Sequence, residues 1–531
     1  MGLVCAYPVR SPGTDNLEKI SEQQIEPFLQ SESHVNLEKD SSENSPCSSA
    51  VAGSPGSSPA SILSQSYIPH GYDGLSDAFM SSQAHILTPT ESALLNHYLE
   101  HASKDTTVED EEQYILQIGI PNLAIRHKLL MKSVLAFSAV CKCCDIINRP
   151  SPSRADRNQV LVLLSIADRY HMESLREIQA TLPGTKQYDH ILANAAMMGM
   201  YGSSSHRIRI WLAETTSFHD PELARFAPKS CQWIRLFRAV RVAYTGLLND
   251  SLRTEDVLQT APDTPPIEPV ASCDFPVQCR CKVVTKGEQQ AEPQGHALFP
   301  ILAATVVPAL EKLRERATIV AGDEVRSGGL PTPCSDLQAC FTALELFSEI
   351  VAETFSLENM IPSASEYSNP ASRADVDPLG YVSKVSPWMQ RYSARITSMI
   401  PSKLPRRFIM AFIHKAPTKY LNIVEDMMSL IQSTGPDHGI ALDCVRPMTT
   451  EPSLAHQLAV DIFAHWLVLV LLLDKVWWIG GIGGWELKQI VSLRQDVRWR
   501  MSLWATDEDW WPESMLEISR QYDKHRAKCF P

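Results

Sequence analysis

Leu454-Ala455-His456-Gln457-Leu458-Ala459-Val460-Asp461-Ile462-Phe463-Ala464-His465-Trp466-Leu467-Val468-Leu469-Val470-Leu471-Leu472-Leu473 is the stretch whose reading decides the fold. Its few polar residues are too sparse for the solvent face of an amphipathic helix, and nothing in it alternates with a period of two. A helix that is apolar almost all round belongs at the centre of a helical domain. The expected helix runs from Leu454 to Trp478. Its longest unbroken apolar run, Trp466 to Leu473, is bounded by His465 and by Asp474-Lys475, short of the roughly 20 residues that a membrane span needs. No membrane partner is expected.

Working outward, helical spacing recurs at Leu129 to Ile147, Gln159 to Leu182, Tyr188 to Met200, His206 to Glu214, Cys231 to Asn249, Leu298 to Arg316 and Leu337 to Leu357. Breakers such as Asn148-Arg149-Pro150 and Pro183-Gly184 separate several of these patterns. Thr88-Pro89-Thr90-Glu91 reads as a helix start: Thr88 as N-cap, Pro89 at the first helical position and Glu91 closing a capping box. Ser386-Pro387-Trp388 reads the same way. The predicted fold is all-α, a large helical array or bundle over residues 85–531, with irregular inserts near 261–297, 321–336 and 359–385. Residues 11–84, rich in Ser, Pro, Gly and acidic residues, cannot bury enough apolar surface to offset chain entropy. They read as a disordered linker.

Composition limits the function classes. A formal charge of −13 over 531 residues gives no overall attraction to a polyanion. Thirteen cysteines, several inside apolar helical stretches, suit a reducing compartment. Met1-Gly2-Leu3-Val4-Cys5 opens without the basic start or long apolar stretch of a secretory signal. A nuclear or cytosolic protein is expected.

Two blocks carry a resemblance. The first comprises Leu87-Thr88-Pro89-Thr90-Glu91, then Gln117-Ile118-Gly119-Ile120-Pro121-Asn122-Leu123-Ala124, and on to Val134-Leu135-Ala136-Phe137-Ser138-Ala139. The second comprises Ala455-His456-Gln457-Leu458-Ala459 through Trp477-Trp478-Ile479-Gly480-Gly481-Ile482-Gly483, closed by Trp510-Trp511-Pro512-Glu513-Ser514. Together they resemble the regulatory domain of fungal Zn2Cys6 transcription factors, and are similar in particular to sterol-uptake regulators of yeasts. The peptide Gly2-Leu3-Val4-Cys5-Ala6-Tyr7-Pro8 resembles the end of such a zinc cluster, so residues 1–10 read as its remnant and Cys5 as its sixth ligand. Two zinc ions sharing six thiolates need closely spaced cysteine pairs, and one cysteine cannot hold them. A truncated DNA-binding module is the expectation.

The resemblance implies a nuclear regulator of RNA polymerase II transcription, working in sterol control or secondary metabolism. Implied partners are a second copy or related factors, coactivators, an apolar ligand, and DNA only where the zinc cluster is present. No cofactor is expected in this chain, zinc being implied for the full-length family form. A DNA-independent ligand-binding or sequestering protein is the alternative.

Candidate ligand-binding residues are Trp477, Trp478, Gly480, Gly481, Gly483 and Gly484, since glycine lets backbone approach a ligand closely. The plainer reading of the glycines is a helix stop and a tight connection to a helix starting near Trp485. His465 reads as a hydrogen-bonded core residue, or as a pocket residue.

No catalytic residues are expected. An isoprenoid synthase, the remote enzymatic alternative, needs carboxylates one helical turn apart for magnesium-diphosphate. Glu109-Asp110-Glu111-Glu112 falls in a predicted loop instead, and Asn249-Asp250-Ser251 with Glu255 is too closely spaced for that enzyme's second metal site. Cys273, Cys279 and Cys281 lack paired metal-ligand spacing and read as free thiols. Arg395, Lys403, Arg406, Arg407, Lys415 and Lys419 form the densest basic stretch, read as a solvated or partner-binding face.

Overall fold

A computed structural model describes residues 87–103, 110–181, 187–215, 221–258, 296–326, 334–356, 384–400, 402, 404–433, 453–495 and 509–529. The remnant at residues 1–10 with Cys5, the linker at 11–84, Cys273, Cys279, Cys281 and Lys403 lie outside the described residues, as do most of the three inserts. By its contacts the chain divides into two compact units, Met1–Ala93 and Leu94–Pro531. Among the described residues the secondary structure is helical throughout, with no β-strand.

Helix α1 (Pro89–His97) begins on the capping box that its sequence specifies. The Glu91 N–H donates to Thr88 Oγ1 at 3.2 Å, and the Thr88 N–H donates to Glu91 Oε2 at 3.0 Å. Each side chain satisfies a backbone donor that the first helical turn would otherwise leave unpaired.

In the second unit, α2 (Asp110–Tyr114), α3 (Ile120–Arg126), α4 (Lys128–Ile147), α5 (Arg154–Thr181) and α6 (Asp189–Thr215) follow in order. After the single turn α7 (Pro221–Ala224) come α8 (Gln232–Leu258), α9 (Phe299–Arg326), α10 (Ser335–Thr354), α11 (Pro387–Ile396), α12 (Pro405–Lys415) and α13 (Thr418–Ser433). The chain closes with α14 (Leu454–Val470, extended by a 3-10 turn over Leu471–Leu473), α15 (Ile482–Gln495) and α16 (Trp511–Cys529). Helices α5 and α6 pack on α4, and α8 packs on α6, whereas α9, α10, α12, α13, α15 and α16 surround α14.

The central position of α14 follows from its composition. Leu458, Ile462, Phe463, Trp466, Leu467 and Leu469 are all fully buried. Each such side chain contributes roughly 1.5–3 kcal/mol by leaving water. Trp466 stacks on Phe412 and donates from Nε1 to the Ile409 carbonyl at 2.8 Å, so its one polar atom is satisfied in the core. By length and composition alone Leu454–Leu473 could cross a membrane, yet 94% of that window is buried inside the chain's own fold.

Several boundaries differ from the sequence reading. The helix predicted to reach Trp478 leaves regular geometry after Leu473, because Asp474 and the following turns reverse the chain. The helices expected at Tyr188 to Met200 and His206 to Glu214 are one, α6. Its Gly202-Ser203-Ser204-Ser205 segment stays helical where it is buried, Ser203 Oγ donating to the Gly199 carbonyl at 3.3 Å and Ser205 Oγ to that of Gly202 at 3.2 Å. The acidic run predicted as a loop instead contributes α2. Helix α9 continues to Arg326 and α10 starts at Ser335, narrowing the insert placed at 321–336.

Candidate functional site

The loop after α14 turns on backbone contacts. The Val476 N–H bonds to the Leu473 carbonyl at 2.8 Å, and the Gly480 N–H to the Val476 carbonyl at 2.8 Å. The Gly481 N–H caps Asp474 Oδ1 at 3.1 Å. Gly481 has φ +81°, a conformation that L side chains rarely adopt. A Cβ on Gly480 would lie 2.2 Å from the Asp474 carbonyl oxygen. One on Gly483 would lie 3.1–3.2 Å from Val470 Cγ1, the Leu467 carbonyl and the Leu471 nitrogen. Gly484 leaves ordinary contact distance to Leu471. The helix start predicted near Trp485 comes earlier, at Ile482, so Gly483 and Gly484 lie within α15. Their place in the fold is the close crossing of α14 and α15.

The adjacent tryptophans point to different neighbours. The half-buried Trp477 ring lies 5.9 Å from that of Phe137 on α4, and its carbonyl accepts from Arg207. The buried Trp478 ring stacks on Phe237 of α8 at 5.9 Å, and its indole Nε1 has no hydrogen-bond partner.

Trp478 is one wall of a cavity of about 110 Å³. Ala196, Gly199 and Met200 of α6 form a second wall, and Phe237 and Val240 of α8 a third. Tyr392 and Ile396 of α11, Met410 and His414 of α12, Leu116 and Ser398 also line it. Arg406, Arg407 and Glu112 lie at its polar edge, where Arg407 and Glu112 form a nearly buried ion pair. The cavity's side chains come from elements far apart in sequence.

His414 is buried and stacks on Phe237 at 4.8 Å. Burial, reinforced by the positive charges of Arg241 and Arg238, lowers its pKa to about 3. The ring is therefore neutral at neutral pH. It hydrogen-bonds to the Ile396 backbone while Nδ1 has no partner, so Nε2 donates and Nδ1 keeps an acceptor lone pair. Trp478 Nε1 and His414 Nδ1 are thus two buried nitrogens without a hydrogen-bond partner.

Of the six residues singled out in the sequence, Trp478 alone lines this cavity. Phe237, Tyr392 and His414 were not found by sequence reading, because each sits on an amphipathic helix as an ordinary core-facing residue. Arg406 and Arg407, read as part of a solvated or partner-binding face, turn toward the cavity edge, and Lys419 pairs with Asp336 at 2.6 Å.

Two other polar clusters are structural. Glu486 of α15, fully buried, accepts from the Cys231 N–H at 3.0 Å and from Trp233 Nε1 at 3.3 Å, closing the start of α8. His465 bonds through Nδ1 to the Asp461 carbonyl at 2.8 Å and packs beside Trp511, in keeping with its reading as a core residue.

Cys143, Cys144, Cys231 and Cys340 are buried thiols. Burial pushes the Cys143 and Cys231 thiols well above their usual range, and those of Cys144 and Cys340 up to about 12.

No family model matches the chain, and comparisons with curated proteins and with solved structures found no match.

Proposed function

We propose that the chain is the regulatory part of a fungal zinc-cluster transcription factor: a non-catalytic helical domain that controls RNA polymerase II transcription in the nucleus in response to an apolar ligand. The resemblance of the two sequence blocks underlies this reading. Its structural support is that the blocks, more than 300 residues apart, meet in space through Phe137 and Trp477, with ring centroids 5.9 Å apart. Both ring residues belong to the second unit, and the cavity beside Trp478 is the proposed place for a ligand to bias it. Self-association and coactivators are the proposed protein partners, with DNA contact assigned to the family's zinc cluster.

The test is a fusion of this chain to an unrelated DNA-binding domain, assayed on a reporter in a fungal host. Reporter output should differ from that of the DNA-binding domain alone. Equal output under sterol depletion, sterol excess and standard growth would remove the reading.

The charge of −13 favours a second reading, a partner that sequesters related factors without touching DNA. In that case the fusion is inert, whereas the free chain lowers transcription driven by a related full-length factor.

A further inference from the structure

Between the end of α4 and the start of α5, residues 148–153 form a short turn that exposes Asn148, Arg149, Pro150, Ser151 and Ser153. Its sequence, Asn148-Arg149-Pro150-Ser151-Pro152-Ser153-Arg154, sets one serine between two prolines and flanks it with arginines. Proline lacks an N–H and biases the residue before it toward extended backbone. Ser151 thus lies outside both helices, next to a residue that favours the form in which a peptide enters an enzyme cleft.

Among the described residues Thr88, Ser151 and Ser386 precede a proline, and their surroundings separate them. Thr88 Oγ1 is engaged by Glu91 in the cap of α1, and Ser386 Oγ is buried. Ser151 is exposed, and its hydroxyl makes no hydrogen bond. The neighbouring Ser153 is occupied: its Oγ donates to Asp156 Oδ2 at 2.7 Å and accepts from the Asp156 N–H at 3.1 Å. One hydroxyl in this turn is free to react.

The charge around that hydroxyl suits an anion. Residues 148–158 carry Arg149, Arg154 and Arg157 against Asp156 alone, a local positive excess in a chain of net charge −13. Asp156 is already engaged by Arg149 at 2.6 Å and by the Ser153 N–H at 2.8 Å. Arg154, exposed at the first position of α5, makes no hydrogen bond or ion pair. A dianion near a helix start also gains from the helix dipole. We propose that Ser151 is a phosphorylation site for a proline-directed protein kinase, its phosphate held by Arg154 and Arg149 across the start of α5. In the transfer, Ser151 Oγ bonds to the γ-phosphorus of a nucleoside triphosphate as the bond from that phosphorus to the β,γ-bridging oxygen breaks. The nucleoside diphosphate leaves, and the hydroxyl proton passes to the kinase's catalytic base. The phosphate then adds a second tie between α4 and α5, beside the Arg149–Asp156 pair.

The experiment incubates the purified full chain with magnesium, ATP and a mitogen-activated protein kinase shown to be active on a Ser-Pro peptide, and locates phosphate by tandem mass spectrometry. Ser151 should be modified and Ser386 should not. In phosphorus NMR the Ser151 phosphate, assigned by its loss in Ser151→Ala, should titrate about half a unit or more below the ordinary second pKa of about 6, because guanidinium neighbours favour the dianion. Arg154→Gln should return part of that shift. An unmodified Ser151 in the wild-type chain would overturn the site, and a Ser151 phosphate titrating at the ordinary value would overturn its capture by the arginines. Both readings come from the wild type, so neither depends on a variant folding.

Discussion

Arg316 of α9 and Asp461 of α14 meet at 2.7 Å, Nε to Oδ2, with the carboxylate fully buried in the centre of the helical unit. Trp510 Nε1 donates to the other carboxylate oxygen at 2.9 Å, and His465 Nδ1 lies 3.2 Å from it. One acidic residue on the most apolar helix thereby ties together α9, α14 and the chain entering α16. An ion pair this deep need not add net stability over apolar residues of similar shape. Removing Arg316 is different, because the buried carboxylate loses a charged partner and keeps only Trp510 and His465.

Arg316→Met should therefore destabilise the fold by about 3–5 kcal/mol, read as a lowered midpoint in chemical denaturation. Adding Asp461→Asn to that variant should recover part of the loss. A double variant as unstable as the sum of the single ones would show that the two residues act independently.

Acid should act on the same group. Burial alone would raise the Asp461 pKa, but His465, Arg316 and the Trp510 N–H outweigh it and hold the pKa at about 2. A folded value below the ordinary 3.8 means that this carboxylate's stabilisation is fully present above about pH 4. It is lost as pH falls toward 2, by an amount on the order of 2 kcal/mol. Stability profiles of the wild type and Asp461→Asn should converge over that interval. Parallel profiles would contradict the assignment.

Gly483→Asp tests the crossing of α14 and α15. The new Cβ would come within 3.1–3.2 Å of Val470 and of backbone atoms of Leu467 and Leu471, and helix backbone cannot yield as a side-chain tip can. The substitution also places a carboxylate where burial disfavours its charge. Denaturation should show a loss of more than about 3 kcal/mol from the combined overpacking and burial. A stable variant that changes only ligand binding would instead return Gly483 to the ligand site.

These cases show what sequence could and could not supply. The central place of α14 was legible because almost every residue in it is apolar, and the Thr88–Glu91 cap because its chemistry is local. The partner of Asp461 was not legible, since Arg316 lies 145 residues away and belongs to an ordinary amphipathic helix. The cavity was equally hidden: Trp478 stood out as one of a tryptophan pair, while Phe237 and His414 become partners only through the packing of α8 and α12. Glycine and serine misled in α6, where small residues usually signal a turn but here permit a close helix crossing.

That crossing yields a paired prediction at two glycines one turn apart. A Cβ on Gly202 would fall 2.7 Å from Leu236 Cβ, whereas one on Gly199 would stay at 3.4 Å from α8 backbone atoms. In the interior of a helix, alanine gains about 1 kcal/mol over glycine through backbone entropy. At Gly199 nothing offsets that gain, so Gly199→Ala should be neutral or slightly stabilising in chemical denaturation. At Gly202 the clash involves a Cβ that moves only with its backbone, and overpacking of this kind costs about 1–3 kcal/mol. The cost should exceed the gain, and Gly202→Ala should lower the midpoint. Equal stability of the two variants would mean that α6 and α8 do not cross as closely as the structure places them.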